Sequence, residues 1–166
     1  TTGAAETQQQ MLKRLELPPA AHRVLIERAR ERGIDFLSTP FDPASLDLLM
    51  RTLDLPRIKV GSGDMTNAPM LLEIAKAGKH VILSTGMAEL HEVEEALSVL
   101  AFGYADDNRP PSRAAFAAAW ADPARRRALA GKVVLLHCTT EYPAPFEAVN
   151  LAAMDTMARS FGLPVG

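Results

Sequence analysis

The chain has 166 residues, 48% of them hydrophobic, with 18 Lys and Arg against 20 Asp and Glu and a formal net charge of −2. That near-neutral balance, with no sustained basic stripe, argues against a nucleic-acid or membrane-surface protein, and no apolar run reaches the ~20 residues of a membrane span. The single cysteine, Cys138, excludes an internal disulfide framework; with no signal-peptide pattern at the start, the expected location is a reducing cytoplasm.

A polar opening leads into a short helix around Gln8–Leu15. Pro18 and Pro19 start the next helix, where proline in the first turn costs no hydrogen bond. Leu25, Ile26 and Ala29 share one face of it, and Gly33 ends it. Ile34–Leu37 reads as a strand. Asp42 caps a helix from about Pro43 to Leu53, with Leu46, Leu49 and Leu53 at helical spacing. Arg57–Val60 is the second strand. Thr66 or Asn67 caps a helix containing Pro69, Leu72, Ile74 and Ala75, which Gly78 closes. His80–Leu83 is the third strand, and a long helix follows at about Leu90–Ala101. Gly103 to Ser112 reads as a loop and about 113–129 as one Ala- and Arg-rich helix, so 103–131 looks like an insertion. Its basic run, Arg125–Arg127, reads as a solvated helix face. Lys132–Leu136 is the fourth strand. Asn150 caps a last helix, with Leu151, Met154, Ala158 and Phe161 facing inward and Gly162 at its end.

One pattern therefore recurs: an apolar run ends in small polar residues, and a helix follows. Buried parallel strands need such runs, and in a β/α barrel the residues just past the strand ends line the active site. The expected fold class is α/β, a partial (β/α)8 TIM barrel. A complete barrel needs roughly 250 residues, so the chain, which opens on Thr1 and closes on a strand-like Leu163-Pro164-Val165, is expected to be a piece of a larger enzyme.

Lys59, at a strand end, can meet an anionic substrate. Gly61 and Gly63 let backbone approach a ligand, and Ser62 offers a hydroxyl. Asp64 reads either as an acid–base group or as a turn aspartate. Ser84 and Thr85 supply hydroxyls one strand on, and Thr39 does so one strand earlier. His137 reads as a hydrogen-bonded structural histidine, Cys138 as a small side chain within the strand, and Tyr142 as a rigid loop residue able to cover a sugar. His22, His80 and His91 read as structural. No His or Cys spacing builds a metal site in this segment.

Four strand-end segments carry a resemblance. They are Phe36-Leu37-Ser38-Thr39-Pro40-Phe41-Asp42, Ile58-Lys59-Val60-Gly61-Ser62-Gly63-Asp64-Met65-Thr66-Asn67, Ile82-Leu83-Ser84-Thr85-Gly86-Met87 and Leu136-His137-Cys138-Thr139-Thr140-Glu141-Tyr142-Pro143. Together with the ending Phe161–Gly166, they resemble the sialic acid synthases, including the legionaminate and pseudaminate synthases. The resemblance implies about barrel strands 3 to 6, entering strand 7, in an enzyme that condenses phosphoenolpyruvate with an N-acylated mannosamine-type sugar and releases phosphate by C–O cleavage. It implies that Lys59, Ser62, Ser84 and Thr39 hold phosphoenolpyruvate, that Asp64 handles protons where many relatives have glutamate, and that Thr140 and Tyr142 lie near the sugar. It further implies a divalent metal (Mn2+ or Mg2+) with ligands outside this chain, a C-terminal antifreeze-like domain also outside it, and a homodimeric parent. The insertion and Asp64 lean towards a diacetamido trideoxy sugar. The residues alone leave two other readings open: a barrel aldolase or lyase with Lys59 as Schiff base, and a non-catalytic carbohydrate-binding segment.

Overall fold

The computed structural model describes residues 7–105 and 108–166, so the polar opening and part of the 103–112 loop lie outside the described residues. Two compact units result, the first ending at Phe36 and the second running Leu37–Gly166.

In the first unit, α1 (Gln8–Leu15) opens with a reciprocal capping box between Thr7 and Gln10, which satisfies two otherwise orphaned amides. Helix α2 (Pro19–Glu31) begins at the proline pair, and Gly33 follows its end at φ 66°. His22 is buried, with Nδ1 3.3 Å from the Pro18 carbonyl and its ring edge-on to Phe36. It is structural, as expected. Ile34–Leu37 corrects the expectation of a strand: the segment carries no regular structure. Apolar residues supply strand propensity, but a strand exists only where a neighbour completes its ladder.

In the second unit Asp42 caps α3 (Pro43–Asp47), accepting from the Ser45 hydroxyl and backbone amide. Those bonds, the hydroxyl's first, hold its carboxyl below the usual aspartate value. The helix then widens into a π turn over Leu48–Thr52. Strands β1 (Arg57–Val60), β2 (His80–Ser84) and β3 (Val133–Leu136) form one parallel sheet in the order β1-β2-β3. The register sets Val60 beside Leu83 and Leu83 beside Leu135. Side chains alternate across a sheet. Ile58, Val60, Val81, Leu83, Val133 and Leu135 fill one face at 1% exposure or less. Lys59, Ile82, Ser84, Val134 and Leu136 share the other. Beyond β3, Leu135 bridges to Val165 in parallel.

Helix α4 (Ala68–Lys76), capped by Asn67, packs on β2 and against α5 (Leu90–Tyr104). Helix α5 runs past its expected end because Tyr104 is anchored: its hydroxyl donates to the Lys79 carbonyl at 2.6 Å, and the Lys132 ammonium sits 4.5 Å over its ring. Burial raises the phenol's pKa. Lys79 and Lys132 lead into β2 and β3, so this one side chain ties the amino ends of both strands.

The expected single helix over 113–129 is two, α6 (Arg113–Ala121) and α7 (Pro123–Arg127). Pro123 lacks an amide and forces Asp122 out of helical geometry, to ψ 112°. Phe116, Ala115 and Ala119 of α6 cover Phe102 of α5, with the two phenyl rings 5.2 Å apart. In α8 (Ala152–Phe161) the cap is Leu151, not Asn150, and Leu151 is exposed while Met157 is the buried residue. Asn150 sits at φ 45°, in the left-handed region, and so does not adopt the extended backbone of an N-cap. Gly162 closes α8 at φ 65°. Among the described residues no helix is long and apolar enough to cross a membrane.

Candidate active site

The three strands end side by side, so their following residues form one rim. Lys59 lies on the half-buried face, one residue before β1 ends, and its ammonium donates to the Val60 carbonyl at 3.3 Å. No carboxylate among the described residues pairs with it. A partly desolvated cation without a counter-ion is costly, and the same cost makes it a receptor for an external anion. Ser84 is two residues beyond Lys59's neighbour Ile82, hence on the same face. It is buried, and no hydrogen bond fixes its hydroxyl within the described residues. Thr85 differs: its hydroxyl and amide both donate to the Leu136 carbonyl at 3.0 Å, so it stitches β2 to β3 and is not free for a ligand.

Ser62 opens a 3-10 turn, Ser62–Asp64. A Cβ added at Gly86 would stand 3.4 Å from the Ser62 hydroxyl oxygen and 3.1 Å from the Cys138 carbonyl oxygen. The residues following all three strands therefore converge at Gly86. Its successor Met87 has φ 68°, a conformation disfavoured for a side chain of that size. Asp64 closes the same turn half-buried, and its side chain has no ion-pair partner among the described residues. The Phe41 ring stands 3.8 Å from a Cβ at Gly61, which brings the Thr39–Phe41 segment alongside the end of β1.

Lys59, Ser62, Ser84 and Asp64 are thus brought to one edge, with Thr39 on a neighbouring segment. Thr140 and Tyr142 lie exposed on the loop after β3, and among the described residues no side-chain hydrogen bond or ion pair joins them to this cluster. Cys138 corrects the expectation of a strand residue: β3 ends at Leu136, and the half-buried thiol donates back to the Leu136 carbonyl at 3.4 Å. Beside it a cavity of about 440 Å³ opens between Thr85, Met87, His137, Cys138, Asn150 and Met157. A larger one, about 520 Å³, lies among α4, α5 and α6 and contains none of the expected site residues. Among the described residues no group of three or more His, Cys, Asp or Glu stands together to hold a metal ion.

The convergence at Gly86 gives a direct check. Gly86→Ala places its methyl against a backbone carbonyl, which cannot swing aside as a side chain can. In the protein that carries this chain, the substitution is expected to raise KM about tenfold while shifting Tm by only a few degrees. Steady-state kinetics beside a thermal melt measures both, and an unchanged KM would mean that Gly86 is not at the binding edge.

The fold is thus a parallel α/β sheet whose carboxyl edge carries, among the described residues, a lysine without a carboxylate partner beside serine hydroxyls. The sequence over residues 1–166 matches the NeuB family model, and the chain belongs to that family. It is 46% identical over 166 residues to the N,N'-diacetyllegionaminic acid synthase of Campylobacter jejuni, covering 100% of this chain and 42% of that protein. It is 40% identical over 162 residues to the enzyme of the same name from Legionella pneumophila, covering 98% and 39%. The crystal structure of the N-acetylneuraminic acid (sialic acid) synthetase of Leptospira borgpetersenii serovar Hardjo-bovis superposes with a TM-score of 0.72 at 27% identity, over 98% of this chain and 48% of that one. The chain spans about two fifths of the length of these curated relatives.

Proposed function

We propose that the protein carrying this chain is a nonulosonic acid synthase, condensing phosphoenolpyruvate with an N-acylated mannosamine-type sugar to give a nine-carbon acid and phosphate. The observation that carries this reading is the half-buried Lys59 ammonium, without a carboxylate partner among the described residues, with Ser84 on the same face of the neighbouring strand and Ser62 in the turn after β1. A substrate with a phosphate and a carboxylate needs a cation and several neutral donors, and these residues supply them. Thr39 adds a donor from the segment beside β1.

In the reaction, C3 of phosphoenolpyruvate bonds to the sugar's aldehyde carbon, water adds at C2, and phosphate departs with the C2–O bond. Lys59, Ser62 and Ser84 hold the anion and fix C3 for attack. The Asp64 carboxylate takes a proton from the water that adds at C2, and Thr140 and Tyr142 face the sugar. The divalent metal implied by the resemblance would polarise the aldehyde, with ligands from outside these residues. The names of the relatives favour a diacetamido trideoxy sugar over N-acetylmannosamine. The three-stranded sheet with its onward bridge to Val165 is read as an arc of a β/α barrel, within a homodimeric parent.

The test is phosphate release by the protein that carries the chain, given phosphoenolpyruvate, Mn2+ or Mg2+, and each sugar in turn. Release is expected only with both substrates present, fastest with the diacetamido sugar, and with a product mass equal to the two substrates plus water minus phosphoric acid. No sugar-dependent phosphate with any divalent metal would overturn the reading.

A further inference from the structure

His137 is the first residue beyond β3, and it is held at both ends. Its backbone amide donates to the Gly166 carbonyl at 2.8 Å, and its ring Nε2 lies 2.6 Å from the Val149 carbonyl oxygen. A carbonyl can only accept, so Nε2 carries the hydrogen. The bond joins the first residue before a loop to the last residue of that loop, and residues 138–149 between them include Thr140 and Tyr142.

What else fixes this loop decides how much the bond matters. None of residues 138–149 is buried, and Tyr142 and Phe146 are 78% and 97% exposed. Apolar burial therefore anchors little of it. Its other bonds among the described residues are local: the Cys138 thiol donates back to the Leu136 carbonyl at 3.4 Å, the Thr139 hydroxyl donates to the Glu141 carbonyl at 3.0 Å, and the 3-10 turn Phe146–Ala148 closes through Ala148 to Pro145 and Val149 to Phe146. Local bonds shape segments of a loop without placing it on the sheet. The imidazole does place it, because the His137 backbone amide is itself held by the Gly166 carbonyl.

We propose that His137 is a positioning residue: its Nε2–H to Val149 bond holds the 138–149 loop over the carboxyl edge of the sheet and thereby sets affinity for the N-acylated sugar. The assignment rests on the synthase reading for the identity of that ligand. The loop geometry itself does not.

The experiment compares wild type, His137→Ala and His137→Gln in the protein that carries this chain. Glutamine's Nε2 can reach the same carbonyl and donate, whereas alanine cannot. Nitrogen-15 spectra of the wild type at neutral pH should show a hydrogen on Nε2, and a ring protonated at Nδ1 alone overturns the proposal without any variant. In His137→Ala, amide exchange over 138–149 should quicken while that of β1 and β2 is unchanged. The KM for the sugar should rise about tenfold, the size expected for one lost hydrogen bond, with the KM for phosphoenolpyruvate within about twofold of wild type. His137→Gln should recover most of both effects. A merely structural histidine would instead lower stability and leave the two KM values in their original ratio, and that result overturns the proposal. If the wild type shows no synthase activity, the synthase reading fails, yet the Nε2 hydrogen and the exchange pattern still decide whether His137 holds the loop.

Discussion

On the synthase reading, Lys59→Ala in the protein that carries this chain is expected to lower kcat/KM for phosphoenolpyruvate by about a hundred- to a thousandfold, the range seen when one preorganised electrostatic donor is removed from a reacting anion. Among the described residues the side chain, one residue before the end of β1, donates only to the Val60 carbonyl and pairs with no carboxylate, so Tm of the variant is expected to stay near wild type. Lys59→Arg separates charge from chemistry. A guanidinium keeps the cation and its donors, though in a wider fork, and part of the activity should survive with a raised KM for phosphoenolpyruvate. A Schiff-base mechanism would allow the arginine variant no turnover, and borohydride would then trap substrate on Lys59 of the wild type. Full activity in Lys59→Ala would remove the lysine from the site altogether.

Much of this arrangement can be read in the residues. Arg57–Val60 stands in the structure as an apolar–polar alternation predicts, because both the buried face and the lysine are written into four consecutive residues. The caps at Asp42 and Asn67 are legible for the same local reason: each side chain bonds an amide three residues on. What escaped is long-range or a competition between local signals. Ile34–Leu37 has strand composition, but pairing is a property of neighbours. In 113–129 the alanine run favours one helix, and Pro123 alone marks the break. Thr85 and Ser84 are adjacent hydroxyls with equal claims in sequence. Only the carbonyl of Leu136, 51 residues from Thr85, shows that one is structural and the other available. The His137 bond to Val149 is likewise invisible, since any residue could supply that carbonyl.

Gly103 is the position where one methyl group should cost the fold most. It lies in α5, and a Cβ built there would stand 2.5 Å from the Ala75 Cβ of α4, with Leu72 Cδ1 at 3.4 Å. Leucine can rotate away, but Ala75 has no rotamer to change, so the helices themselves must part. Replacing a helical glycine by alanine gains at most about 1 kcal/mol in helix propensity, and less at the last but one residue of α5, whereas forcing atoms into a filled core costs about 1–3 kcal/mol. At 2.5 Å the second effect wins, and Gly103→Ala is expected to lower stability by about 1–2 kcal/mol. Gly103→Leu should prevent α4 and α5 from docking. The decisive comparison is a double-mutant cycle. Ala75→Gly alone loses about 1 kcal/mol of helix propensity, yet it removes the atom that Gly103→Ala would strike. The double variant should therefore be more stable than the sum of the single changes predicts, by about 1 kcal/mol or more. Urea or thermal unfolding of the four proteins measures the coupling. Strict additivity would show that the two helices adjust without strain, and that the glycine is not what sets their approach behind β1 and β2.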